Sequence, residues 1–183
     1  FTDGYRDKGA ETPAVVAAEM GAWCKAKGIT PIDLLETIYE KYGYYAERLY
    51  YRLIEGFGAF DRMNLAMGAF RKQFPKEIAG RKVLKIMDRF TGEVWDGQTG
   101  NFLEARNWDK GDMVSFFFSD DERDALHVRP SGTEPKMKYY TAIKGNLSER
   151  TKQQLNDEAE RMEKAMVAAF EGMLANVKVD VFN

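Results

Sequence analysis

The sequence predicts an α+β protein, a small antiparallel sheet covered by helices, and three stretches carry that reading. Thr12-Pro13 and Thr30-Pro31 each place a capping hydroxyl before a proline, a signal for a helix start. Residues Lys136 to Lys144 alternate Met137, Tyr139 and Ile143 with Lys136, Lys138, Tyr140 and Lys144, the two-residue period of a half-buried strand. Downstream, Leu155, Met162, Met166, Phe170 and Met173 recur at helical spacing, and Ser148 stands where it can cap that helix. Separate layers of strands and helices define the α+β class.

The elements follow in order. A first helix from Thr12-Pro13 carries Val15, Val16, Met20 and Trp23 and ends near Gly28. A second runs from Thr30-Pro31 to Gly43 with Leu34, Leu35, Ile38 and Tyr42 on one side. Tyr44 to Ile54, rich in tyrosine and leucine, reads as a strand, and a third helix is expected from about Asp61 to Phe74. Pro75 and Gly80 make 74–80 the best domain boundary, with domains expected over 1–78 and 79–183. Beyond it come candidate strands at Val83 to Arg89, Phe90 to Trp95 (turn and return), Met113 to Ser119 and Ala125 to Arg129. The charged run Asp120 to Asp124 turns the last two against each other.

Composition sets the outer limits. A chain of 183 residues can bury a core for one or two domains. Hydrophobic residues at 44% and charged residues at 31% describe an ordinary globular protein. The single cysteine, Cys24, leaves no internal disulfide and fits a reducing, cytoplasmic setting; beside Trp23 it reads as a small core residue. No apolar run reaches membrane-span length, so no membrane partner is expected. A net charge of −2 argues against nucleic acid as a partner.

Against that nearly neutral background, Arg129-Pro130-Ser131-Gly132-Thr133-Glu134-Pro135-Lys136-Met137-Lys138 concentrates a net charge of +2 on a turn between strands. Arg129 offers two parallel donors to phosphate oxygens. Ser131 and Thr133 donate from hydroxyl and backbone, and Gly132 lets the main chain approach a ligand or curl into an anion-binding nest. A local positive site suits a compact anion better than a polyanion. Lys138 is a further candidate, whereas Lys136 reads as solvent-facing. Glu134, a carboxylate that would repel phosphate, reads as a support for the loop's shape. A solvated hairpin turn is the bland alternative. His127, the only histidine, shares a strand face with Arg129 and reads as a satisfied sheet residue. Asp120, Asp121 and Glu122 read as a solvated turn, lacking the His or Cys partners of a transition-metal site.

The octapeptide Arg129 to Lys136 resembles the phosphate-binding loop in the last domain of the α-D-phosphohexomutases, the phosphoglucomutase and phosphomannomutase family. Phe1 to Gly9, centred on Tyr5-Arg6-Asp7-Lys8-Gly9, is similar to the segment after that family's sugar-specificity loop, although Gly9 stands where many relatives have aspartate. Phe74 to Val83 is similar to the family's passage from third to fourth domain. The resemblance implies that Arg129, Ser131, Gly132 and Thr133, with Lys138, bind the non-transferring phosphate. It also implies that Lys8 assists proton transfer near the sugar. The implied fold of 79–183 is TATA-binding-protein-like, preceded by the helix-rich remainder of an α/β domain.

The same resemblance implies a parent enzyme that interconverts hexose 1-phosphate and hexose 6-phosphate. A phosphoserine and a bisphosphorylated intermediate, glucose 1,6-bisphosphate for a glucose enzyme, carry the reaction. The family's serine loop, its Mg²⁺ loop and its sugar-specificity loop are not found in this chain, which begins at Phe1. The expectation is therefore a C-terminal piece lacking domains 1–3 up to the end of the third, with no Mg²⁺ ligands of its own and no turnover by itself. Phosphopentomutase and phosphoglucosamine mutase remain alternatives within the superfamily. Outside it stand a non-catalytic phosphate-binding module and, from fold analogy alone, a nucleic-acid-binding domain.

Overall fold

The computed structural model describes residues 9–176. It confirms the α+β class: helices and a seven-stranded antiparallel sheet occupy separate layers. The chain divides into two compact units at Tyr44/Tyr45. The strand after Gly43 belongs to the large sheet and so to the second unit.

The smaller unit holds α1 (Glu11–Lys27) and α2 (Pro31–Tyr42). Helix α1 starts at Glu11, one residue before Thr12, with Ala10 as its N-cap and no side-chain cap. The first-turn amides have no intrahelical acceptor, so Pro13 costs nothing at the third position and Thr12 is not needed as a cap. Gly28, at φ 70°, ends α1 in the left-handed conformation that only glycine adopts without strain. Helix α2 starts as expected, with a reciprocal capping box. The Asp33 amide donates to Thr30 Oγ1 at 3.1 Å, and the Thr30 amide donates to Asp33 Oδ2 at 2.8 Å. Cys24 is buried, as its reading as a core residue requires.

The larger unit contains β1 (Tyr44–Leu53), α3 (Ala59–Lys72), β2 (Glu77–Ile78), β3 (Arg81–Lys82), β4 (Lys85–Asp88) and β5 (Glu93–Asp96). It continues with β6 (Phe102–Ala105), β7 (Val114–Phe117), β8 (Ala125–Pro130), β9 (Lys136–Gly145) and α4 (Lys152–Asn176). The sheet order is β1-β9-β8-β7-β4-β5-β6, and β2 pairs with β3 in a separate hairpin. Strands β7, β8 and β9 pair antiparallel in sequence order, so the turn from β8 to β9 sits at one end of neighbouring central strands.

One face of the sheet packs against α3 and α4. Met137, Tyr139 and Ile143 of β9 point into this core with Phe116 of β7 and Leu126 and Val128 of β8. Helix α3 contributes Met63, Met67 and Phe70, and α4 contributes Leu155, Met162, Met166 and Phe170. Phe70 makes edge contacts with Phe116 at 5.6 Å and with Phe170 at 6.1 Å between ring centroids, the arrangement aromatic quadrupoles favour. Glu163 is buried on α4 and pairs with Arg48 of β1 at 3.2 Å. That pair ties the edge strand to the helix.

Helix α4 begins at Lys152, later than Ser148 predicts. Thr151 is the cap: its hydroxyl accepts from the Gln154 amide at 3.2 Å while Gln154 Oε1 accepts from the Thr151 amide at 2.9 Å. Ser148 is held in the preceding turn by Asn146 Oδ1, at 3.1 Å from the Ser148 amide.

Candidate phosphate-binding site

The β8–β9 turn owes its shape to few bonds. The Ser131 amide donates to the Lys136 carbonyl at 2.9 Å, continuing the β8–β9 ladder one step past Pro130. The Lys136 amide donates to the Glu134 carbonyl at 2.7 Å, and the Ile54 amide at the end of β1 holds the Pro135 carbonyl at 2.8 Å. The side chains of Glu134 and Lys136 form an ion pair. Lys136 also lies over the Tyr51 ring, 5.2 Å from its centroid. Its hydrogen bond and charge, with a contribution from Lys138, hold the Glu134 carboxyl below its ordinary range. Glu134 thus supports the turn as the sequence suggested. Lys136, expected to face solvent, is committed to Glu134 and Tyr51 instead.

What remains uncommitted is a group of donors. Arg129 and Lys138 are directly opposite each other across the β8–β9 ladder, on the sheet face away from α3 and α4. Like charges in that position repel. Among the described residues, no ion pair or hydrogen bond neutralises either one. The amides of Gly132 and Thr133, both exposed, carry no backbone partner among the described residues. Ser131 is only 8% exposed, yet its hydroxyl has no hydrogen-bond partner among the described residues. Two unpaired cations, two free amides and an unpaired hydroxyl within one turn are a set of donors awaiting an acceptor.

Arg129, Ser131 and Gly132 line a cleft of about 330 Å³ together with Phe60 and Asn64 of α3 and Asp112 before β7. Asp112 shares the Arg71 guanidinium with the buried Asp88, whose Oδ2 lies 2.7 Å from Arg71 Nε. The sequence does not single out Phe60, Asn64 or Asp112. Nothing in their local pattern marks them, because only the tertiary fold brings α3 and the chain before β7 to the turn.

The other candidates fall into place around this turn. His127 Nδ1 lies 2.8 Å from Ser115 Oγ on the neighbouring strand, and burial lowers its pKa. It is the satisfied sheet histidine the sequence suggested. Asp121 caps its own turn by accepting from Ser119 Oγ at 2.7 Å, and Glu122 is bound by Arg106 and Lys85. Among the described residues no group of three or more His, Cys, Asp and Glu is placed to hold a metal ion. No helix among them is long and apolar enough to cross a membrane. Arg6 and Lys8 lie outside the described residues.

No family model matches the chain. Individual relatives do. A phosphoglucomutase of Staphylococcus saprophyticus is 37% identical over 127 residues, 69% of this chain and 22% of its own length. A phosphoglucomutase of Staphylococcus aureus (strain USA300) is 34% identical over 141 residues, 76% of this chain and 24% of its own. The crystal structure of parafusin, a phosphoglucomutase from Paramecium in its open form, matches 80% of this chain and 23% of that one, with a TM-score of 0.42 and 13% identity. The chain thus spans about a quarter of the length of the curated relatives it matches. By its sequence matches it belongs to the α-D-phosphohexomutase family, as a stretch corresponding to about a quarter of the length of these relatives.

Proposed function

We propose that the β8–β9 turn grips the non-reacting phosphate of a phosphosugar in a phosphoglucomutase-type enzyme, of which this chain is the C-terminal portion. The observation that carries the reading is the uncommitted donor set: Arg129 and Lys138 face to face across the ladder, with the Gly132 and Thr133 amides and the Ser131 hydroxyl beside them. Charged donors of this kind bind phosphate oxygens with short, strong hydrogen bonds. Binding a remote phosphate orients the reacting end of the sugar, so the gain appears as a lower chemical barrier. The enzyme would interconvert hexose 1-phosphate and hexose 6-phosphate through a phosphoserine and a bisphosphorylated sugar. Because the sugar must be held in both orientations, the turn recognises the phosphate rather than the ring position that bears it.

In the same proposal, residues 1–78 correspond to the end of the family's third domain and 79–183 to its fourth, and Lys8 assists proton transfer. Mg²⁺ and the phosphorylated serine come from parts of the enzyme that this chain does not contain. Calorimetric titration of the chain with inorganic phosphate and glucose 1-phosphate tests the reading. Arg129→Ala is expected to weaken both by about ten- to hundredfold, the equivalent of about 1.5–3 kcal/mol for hydrogen bonds to a charged group. Unchanged binding in that variant would refute it. The chain alone is expected to show no interconversion of glucose 1-phosphate and glucose 6-phosphate in a coupled assay; measurable turnover would refute that part.

A further inference from the structure

We infer that a second cleft, at the end of β1 beside α3 and the last turn of α4, binds an aliphatic monocarboxylate, with Arg62 as the group that receives its carboxylate. The inference is independent of the phosphate reading, because this cleft and the one at the β8–β9 turn share no lining residue.

The cleft measures about 380 Å³, within the range of small-molecule pockets, roughly 300–1,000 Å³. Leu53, Ile54, Glu55, Arg62, Glu171 and Leu174 are among the residues that line it. Arg62, near the start of α3, is partly buried. Its Nη2 donates to the Glu55 carbonyl, and its Nε is buried without a hydrogen-bond partner. Among the described residues no carboxylate pairs with it. Arg48, Arg71, Arg81 and Arg106 are partly buried as well, and each holds a carboxylate. A guanidinium that has lost part of its water and gained only a neutral carbonyl is an under-compensated ion. A carboxylate entering the cleft supplies the missing counter-charge and fits the planar fork of donors.

The surroundings choose among anions. Arg52 and Glu171 satisfy each other at 2.8 Å, which leaves Arg62 as the cation that faces a ligand. Glu55, exposed on the same cleft, forms no ion pair among the described residues. Leu174 lies in the last turn of α4, at the negative end of the helix dipole. A second negative charge on the ligand is repelled by both, so phosphate and dicarboxylates are disfavoured. Leu53, 47% exposed, lines the rest of the cleft with Ile54 and Leu174, and this apolar surface suits an alkyl chain.

Hexanoate, hexanamide and adipate, titrated into the isotopically labelled 183-residue chain, test the inference. Hexanoate is expected to give saturable shifts of the Arg62 Nε–H signal and of the Leu174 and Ala175 amides. Hexanamide lacks the charge and adipate carries a second one, and each is expected to bind at least about tenfold more weakly. Arg62→Met keeps the apolar stem and removes the guanidinium, and it is expected to weaken hexanoate by about ten- to hundredfold. Because Arg62→Met also removes the contact with the Glu55 carbonyl, Leu53→Asp is measured beside it. That substitution places a like charge at an exposed position of the same cleft and is expected to act in the same direction. Hexanamide or adipate binding as tightly as hexanoate overturns the inference. So does hexanoate affinity that survives either substitution, or a hexanoate response that leaves Arg62, Leu174 and Ala175 unmoved.

Discussion

Arg129 and Lys138 illustrate how one residue's role depends on what its neighbours are already doing. Three basic residues lie in or beside the β8–β9 turn, and in the structure they separate by partner. Lys136 is held between Glu134 and Tyr51, whereas Arg129 and Lys138 face each other and neither forms an ion pair among the described residues. The residue types at the turn were legible in the sequence, because arginine, serine, glycine and threonine in a row have few structural uses beyond a turn or an anion site. The commitment of Lys136 was not, since Tyr51 is distant in sequence and joins the turn only when β1 lies beside β9. This separation predicts distinct phenotypes. Lys138→Ala is expected to weaken phosphate directly, by several-fold in a calorimetric titration. Lys136→Met keeps the stem over Tyr51 and loses the Glu134 pair, so it is expected to act through loop order. Its signature is raised amide hydrogen exchange at 132–134, with the Lys136→Arg variant restoring protection. Unchanged exchange would show that the ion pair does not hold the turn.

At the level of elements, propensity and pattern located β1, β4, β5, β7, β8 and β9 and missed β2, β3 and β6. The β9 alternation is reproduced in its burial, residue by residue. Strand β6, by contrast, is exposed at all four positions, lies at the edge of the sheet and gave no periodic signal. The short β2–β3 hairpin turns on Ala79 and Gly80, both at positive φ, and lies inside the stretch read as a boundary. Caps were the other weak point, since a hydroxyl can serve a turn or a helix and the sequence alone does not say which. Thr151→Ala is therefore expected to cost about 1 kcal/mol in urea denaturation, while Ser148→Ala costs little. The reverse order would place the start of α4 where the sequence suggested. Gly97 makes a different demand. A Cβ there would overlap the Val83 carbonyl oxygen, which is backbone and cannot move aside. Gly97→Ala is expected to destabilise by about 1–3 kcal/mol, the usual range for overpacking, as measured by the same denaturation.

For the whole molecule, the α+β class was readable because the strands and helices are grouped and the last helix is strongly amphipathic. The division into compact units at Tyr44/Tyr45 was not readable, because it follows from β1 and α3 packing into the sheet unit, which no local signal marks. Charge networks far from the turn also contribute to the stability of the unit that presents it. Arg106 and Lys85 converge on Glu122, and hydrogen bonding to Arg106 first, then to Lys85, lowers the Glu122 carboxyl from 4.5 to about 2. A carboxyl depressed on folding stabilises the protein above its unfolded value, and that contribution is lost as pH falls from about 4.5 towards 2. Glu122→Gln is expected to lower the melting temperature near neutral pH and to flatten its decline over that acid window. Parallel melting curves for the two proteins would contradict it.

Phosphate capture by the β8–β9 turn, through free amides and two unpaired cations, is the central claim. Amide chemical shifts of the isotopically labelled chain, followed as inorganic phosphate is added, test it most directly. Saturable shifts are predicted to concentrate at Gly132 and Thr133 and to be abolished by Arg129→Ala, with the rest of the spectrum unchanged. Shifts clustered elsewhere in the sheet unit, or a Gly132–Thr133 response that survives the loss of Arg129, would contradict it.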